Sequence, residues 1–146
     1  MAKDLFSDVE GRAISDAIKE AERTTSGEIR LHVEGQCKGD VLDRASEVFS
    51  LLEMHSAQHR NGILFYLAMH DRKFAIIGDA GINQRVGQHY WGDVKNQVIA
   101  RFKAGAIVLG LCEGIKLTGH QLREYFPIHE DDMNLPGSNP PIKPTK

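Results

Sequence analysis

The residues best able to do chemistry in this chain are oxygen donors: Glu28, Asn61, Asp79, Asp93 and the late run holding Asp131, Asp132 and Asn134. Asp79 leads the set. It stands in Gly78-Asp79-Ala80-Gly81, just after the apolar run Phe74-Ala75-Ile76-Ile77, and the flanking glycines leave its backbone free to approach a ligand. Carboxylates and amide oxygens gathered in one crevice suit a hard divalent cation such as calcium or magnesium. Left together without one, the carboxylates would repel, and one would hold a proton. Each residue alone also has a plainer reading: Asp79 as a turn cap, Glu28 as an exposed strand start, Asp131 and Asp132 as a solvated face. The chemistry therefore depends on whether the fold brings them together.

The elements that must do so are legible. Gly62-Ile63-Leu64-Phe65-Tyr66-Leu67-Ala68-Met69 and the run 73–78 are dense enough in apolar residues for the centre of a sheet. The turn between them is too short for a parallel crossover, so they form an antiparallel hairpin, which returns Asp79 beside Asn61. Upstream, Ser7 and Glu10 fit a capping box, and Ala13, Ile14, Ala17, Ile18 and Ala21 recur at helical spacing, predicting a helix from Ser7 to Arg23. Glu28 to Glu34 alternates as a half-buried strand. Asp40 caps a second helix with Leu42, Ala45, Val48, Phe49 and Leu52 inward. Strand, helix, strand is then a right-handed parallel crossover. After Asp79 the chain reads as polar up to Tyr90-Trp91-Gly92. A third helix follows with Val94, Val98, Ile99 and Phe102 inward and Asp93 in its first turn, ending at Lys103-Ala104-Gly105. A fourth runs from Ala106 to Tyr125, burying Val108, Leu111, Cys112, Ile115 and Leu122, until Pro127 stops it. The expected fold is a three-layer α/β/α sandwich around a mixed parallel and antiparallel sheet, one domain over residues 1–127 with a proline-rich tail over 128–146. In that topology Glu28, Asn61 and Asp79 share one rim. The fourth helix would deliver Asp131, Asp132 and Asn134 to the same side.

Composition narrows the partners. A net charge of -2 gives no field to gather nucleic acid or an anionic membrane. No apolar run approaches the roughly 18 to 20 residues of a membrane span, so no membrane insertion is expected. The start, Met1-Ala2-Lys3-Asp4-Leu5-Phe6, lacks a secretory core, which points to the cytoplasm. Cys37 and Cys112 are far apart and read as unpaired thiols, Cys37 exposed in a polar stretch and Cys112 in the core. His55 and His59 have the four-residue spacing of a zinc pair, but without the glutamate of H-E-x-x-H they read as a solvated helix end. Trp91 reads as packing at the helix entry. Gly78-Asp79-Ala80-Gly81 is neither a P-loop nor a G-x-G-x-x-G turn and leaves an antiparallel strand, so no nucleotide site is expected. No G-x-S-x-G elbow is present.

The segments Ala21-Glu22-Arg23-Thr24-Thr25-Ser26-Gly27-Glu28-Ile29-Arg30, Arg60-Asn61-Gly62-Ile63-Leu64, Asp71-Arg72-Lys73-Phe74-Ala75-Ile76 and Gly78-Asp79-Ala80-Gly81-Ile82, with Tyr90-Trp91 and Phe126-Pro127, together resemble the TPM domain over residues 7 to 136. The nearest likeness is to its small stand-alone bacterial members. The resemblance implies a Rossmann-like α/β/α sandwich. It also implies calcium, or another divalent cation, bound in loops at one end of the sheet in some members. Thylakoid-lumen relatives are linked to photosystem repair and a weak acid phosphatase activity, and membrane-bound relatives modulate receptors or assemblies. Similar proteins close on an Asn-Glu-Leu-Pro-Asp type segment; Met133-Asn134-Leu135-Pro136-Gly137 lacks its glutamate and final aspartate. The expectation is a divalent-cation-binding interaction or regulatory and assembly module, monomeric and with a protein partner. Calcium is the expected cation and Asp79, Glu28, Asp93 and Asp132 its ligands. The alternative is a weak metal-assisted phosphatase on phosphomonoesters, although no nucleophile or general base stands out.

Overall fold

A computed structural model describes residues 5–128. The first helix, α1 (Asp8–Glu22), opens with the expected capping box: Ser7 Oγ accepts from Glu10 N at 3.1 Å, and Glu10 Oε1 accepts from Ser7 N at 2.9 Å. It leads into β1 (Glu28–Glu34). Asp40 then caps α2 (Val41–Leu51) by accepting from Asp43 N at 3.0 Å. A short 3-10 turn, Met54–Ser56, precedes β2 (Gly62–Ala68), and β3 (Lys73–Gly78) completes the hairpin. Three helices follow: α3 (Ala80–Val86), α4 (Gln88–Lys103) and α5 (Ile107–Tyr125).

The sheet runs β1-β2-β3, with β1 parallel to β2 and β2 antiparallel to β3. Every residue of β2 is buried, as a central strand covered on both faces requires. Ile63, Phe65 and Leu67 face α1, α4 and α5, where Ile14, Val94, Val98, Leu111 and Ile115 close the larger core. Leu64, Tyr66 and Ala68 face α2, with Ala45, Val48, Phe49 and Met54. The α/β/α sandwich and its mixed sheet are therefore as the apolar patterning predicts.

Four details differ. The stretch after Asp79 is not a polar loop but α3, whose Ile82 is fully buried. α4 begins at Gln88, so Asp93 lies in its second turn. Leu42 is not inward but 53% exposed, because the apolar face of α2 turns on Val41, Ala45 and Val48 instead. Cys37 is buried, not exposed, because its loop folds back under α2 into the smaller core.

Candidate functional site

The rim expected to gather the oxygen donors does form. Glu28 pairs with Gly62 across the parallel strands, Ile63 pairs with Gly78 across the hairpin, and Asp79 N donates to Gly62 O at 2.9 Å. The end of α5 reaches the same rim. Thr25 Oγ1 donates to Leu122 O at 3.1 Å and Phe126 O at 2.5 Å, and Ser26 N donates to Phe126 O at 3.0 Å. Buried Asn61 is joined to this knot by Nδ2 donating to Ser26 Oγ at 3.2 Å.

The side chains nevertheless turn to separate partners. Asp79 is 6% exposed and is gripped by one guanidinium: Arg60 Nε donates to Oδ2 at 2.7 Å and Nη2 to Oδ1 at 2.8 Å. Its Oδ1 also caps α3 by accepting from Ala80 N at 2.8 Å. Burial alone would push this carboxyl up. The bonds from Arg60 and Ala80, with the charges of Arg60 and His55, more than offset burial and hold it below the ordinary carboxylate range. Asp79 is thus an ionised carboxylate already supplied with a cation. Glu28 pairs with Arg30 at 2.7 Å, and Asp93 is exposed on α4. Among the described residues no group of three or more His, Cys, Asp or Glu side chains could hold a metal ion. Asp131, Asp132 and Asn134 lie outside the described residues. His55 and His59 are both exposed, with His55 in the 3-10 turn.

The corner is built by close backbone approach. Arg60 adopts a left-handed conformation (φ 52°), which aims its carbonyl at α3 to accept from Gly81 N at 2.7 Å and Ile82 N at 3.3 Å. A Cβ on Gly81 would overlap the carbonyl oxygens of His59 and Arg60, so only glycine fits there. Trp91 Nε1 donates to Asn83 Oδ1 at 2.5 Å, and Asn83 Nδ2 donates to Gly78 O at 2.8 Å, so Trp91 packs at the helix entry and ties α4 to the end of β3. A crevice of about 340 Å³ opens beside the ion pair, lined by Ser46, Ser50, His55, Arg60, Gly78 and Asp79.

A second polar cluster, which sequence reasoning missed, sits at the opposite end of the sheet. Glu34 receives Arg44 Nε and Nη2, each at 2.9 Å, the Tyr66 hydroxyl, and a hydrogen bond with His32 Nε2 at 3.1 Å. Arg44 above all, against the opposing effect of burial and with help from Tyr66 and His32, holds the Glu34 carboxyl at about 2. The Tyr66 hydroxyl is pushed well up, by burial first and then by Glu34. The signal was present: a tyrosine inside an all-apolar strand needs a partner for its hydroxyl, and Glu34 ends the neighbouring strand. A cleft of about 880 Å³ opens beside this cluster, with Asp40, Asp43 and Glu47 on its walls.

A model of the TPM domain matches residues 2–121. The chain belongs to the TPM domain family. This TPM domain is similar to the BA42 protein of the psychrophilic bacterium Bizionia argentinensis, whose NMR structure matches with a TM-score of 0.81 at 43% identity, over 90% of this chain and 91% of that one. The N-terminal domain of a P. gingivalis protein, solved by NMR, matches with a TM-score of 0.70 at 17% identity, over 86% of this chain and 83% of that one, and shares the fold. No curated protein matches the sequence. None of the described helices is long and apolar enough to cross a membrane.

Proposed function

We propose that this TPM domain is an interaction module, regulatory or assembling, and that its Arg60–Asp79 corner responds to a divalent cation, calcium first. One observation carries the reading. A buried, ionised carboxylate is neutralised by a guanidinium that is itself 49% exposed, so water could solvate the guanidinium once a cation displaced it. A cation entering the crevice would take the place of Arg60 on Asp79. Two carboxylate oxygens fall well short of the roughly six to eight that calcium takes, so further donors are required. Glu28, held by the exposed Arg30, and Asp132 with Asn134 are the first candidates, Asp93 the next, and water completes the shell. The phosphatase alternative has less support, because in the cleft beside Glu34 the acids Asp40, Asp43 and Glu47 join Glu34 and outnumber Lys38 and Arg44, a balance that would repel a phosphate.

Thermal unfolding with calcium, magnesium and zinc tests the proposal. Calcium is expected to raise Tm by mass action in the wild type, more strongly in Arg60→Met, and not at all in Asp79→Ala. An unmoved Tm with every cation, in both the wild type and Arg60→Met, sinks the cation reading.

A further inference from the structure

α1 and α5 lie side by side and point the same way. Early in both helices Cys112 Sγ donates to Ala13 O at 3.8 Å, and at their far ends Thr25, just past α1, donates to Leu122 O. Between these points Gly119 comes so near Ala21 that a Cβ on the glycine would stand 2.7 Å from the alanine Cβ. Along this seam runs a groove of about 460 Å³. Its floor is apolar, with Ala17, Ala21 and Gly119, and it reaches Cys112.

The rim of the groove is basic. Lys116, His120 and Arg123 follow one another along one face of α5, and Arg23 stands opposite at the end of α1. Glu20 is the one acid lining the groove, and Arg23 holds it with bonds of 3.2 and 3.0 Å. Among the described residues Lys116 and Arg123 form no ion pair, so the groove keeps an excess of positive charge. Arg123, in the last turn of α5, also complements the helix end; Lys116 stands mid-helix and has no helix end to serve. The apolar floor extends from Arg123 toward Cys112, about 16 Å along α5, so an acidic head at one end and an apolar body fit together. The C-terminal carbonyls of two helices lie beside the head position, and their partial negative charge favours one charge over two. The fork of Arg123 matches a carboxylate through two parallel hydrogen bonds.

We propose that the groove between α1 and α5 binds a small organic acid with a single carboxylate head and an unbranched apolar chain. The head meets Arg123 and Lys116, and the chain lies along Ala21 and Ala17 toward Cys112. None of the residues lining this groove lines the crevice beside Asp79, and the proposal stands if the cation reading fails.

The test titrates the full chain with octanoate and follows the backbone amides by NMR, with hexanoate, octylammonium and octyl phosphate as comparisons. At about pH 8 His120 is neutral and octyl phosphate carries two charges. Octanoate should shift the amides of Ala21, Gly119 and His120, and octylammonium should not. Each methylene buried on the floor adds up to about fourfold in affinity, so octanoate should bind at least threefold more tightly than hexanoate. Arg123→Glu, an exposed substitution, should weaken octanoate binding at least tenfold, while Lys103→Glu, the same charge change at the end of α4, should leave it unchanged. The proposal is overturned if octanoate at millimolar concentration leaves the three amides unmoved, or if octylammonium moves them equally. Equal affinity for hexanoate and octanoate overturns it, as does tighter binding of octyl phosphate. So does an equal response of Arg123→Glu and Lys103→Glu, which would trace the binding to net charge and not to the groove.

Discussion

Replacing Glu34 by glutamine isolates the ionic knot at the far end of the sheet. The Glu34 carboxyl stands at about 2 in the folded chain against an ordinary 4.5. A difference of that size corresponds to a ceiling of about 3 kcal/mol. Its main partner, Arg44, is 33% exposed, and solvent screening lowers the expected contribution to about 1–2 kcal/mol. The introduced glutamine keeps an amide oxygen that can accept from either Tyr66 or Arg44, so the buried tyrosine hydroxyl is not orphaned and no larger loss is expected. At neutral pH the substitution should lower Tm by about 3–6 °C. The sign with pH is fixed by the direction of the shift. A depressed folded-state value contributes stability that is present above the unfolded value and lost as pH falls through the folded one. The gap between wild type and Glu34→Gln should therefore be full above about pH 5 and close as pH falls toward 2. Urea unfolding at a series of pH values, read by the fluorescence of Trp91, the chain's single tryptophan, measures this gap. Other carboxylates titrate alike in both proteins and cancel. A gap that stays constant across this range would refute the assignment of the stabilisation to the ionised Glu34.

Two further outcomes follow from the corner at Asp79. Arg60→Met leaves the Asp79 carboxyl to burial, which raises it, so the substitution should destabilise at neutral pH and its penalty should shrink as pH falls below the carboxylate range; a penalty independent of pH in denaturant titrations would show that Asp79 is not charged in the folded chain. Gly81→Ala sets a methyl group against two backbone carbonyls and should cost about 2 kcal/mol or more. Gly27→Ala first meets the tip of the buried Leu122 side chain rather than backbone and should cost less, so the reverse order in calorimetry would contradict the packing described for the corner.

Strands and helices were readable because their patterns are strong. β2 is apolar at nearly every position and lies buried at every one, while the capping box at Ser7 and the Asp40 cap are local signals that do not depend on the rest of the fold. α3 was not readable. Its seven residues hold one buried position, Ile82, too few to show a period. For Cys37 the polar stretch with Lys38 nearby points to exposure, whereas its burial depends on Asp71, which accepts from Cys37 N at 2.7 Å, and on Lys73, which donates to Cys37 O at 2.8 Å from across the hairpin.

The candidate site shows the same limit more sharply. Hairpin logic correctly returned Asp79 to the start of β2, and the residue it returned to is Arg60, one position before Asn61. The side chain that decides the state of Asp79 was thus adjacent to a residue the sequence already singled out. What was not legible is the left-handed backbone of Arg60, which lets one residue serve α3 twice: its carbonyl accepts the Gly81 and Ile82 amides, while its guanidinium holds the carboxylate that caps the same helix. A left-handed conformation in a non-glycine residue has a cost, and these contacts offset it. Any ligand that draws Arg60 away from Asp79 therefore acts on the first turn of α3 as well. Through Asn83 and Trp91 that turn is joined to α4, which gives the corner a physical route by which cation exchange would reach the helix layer.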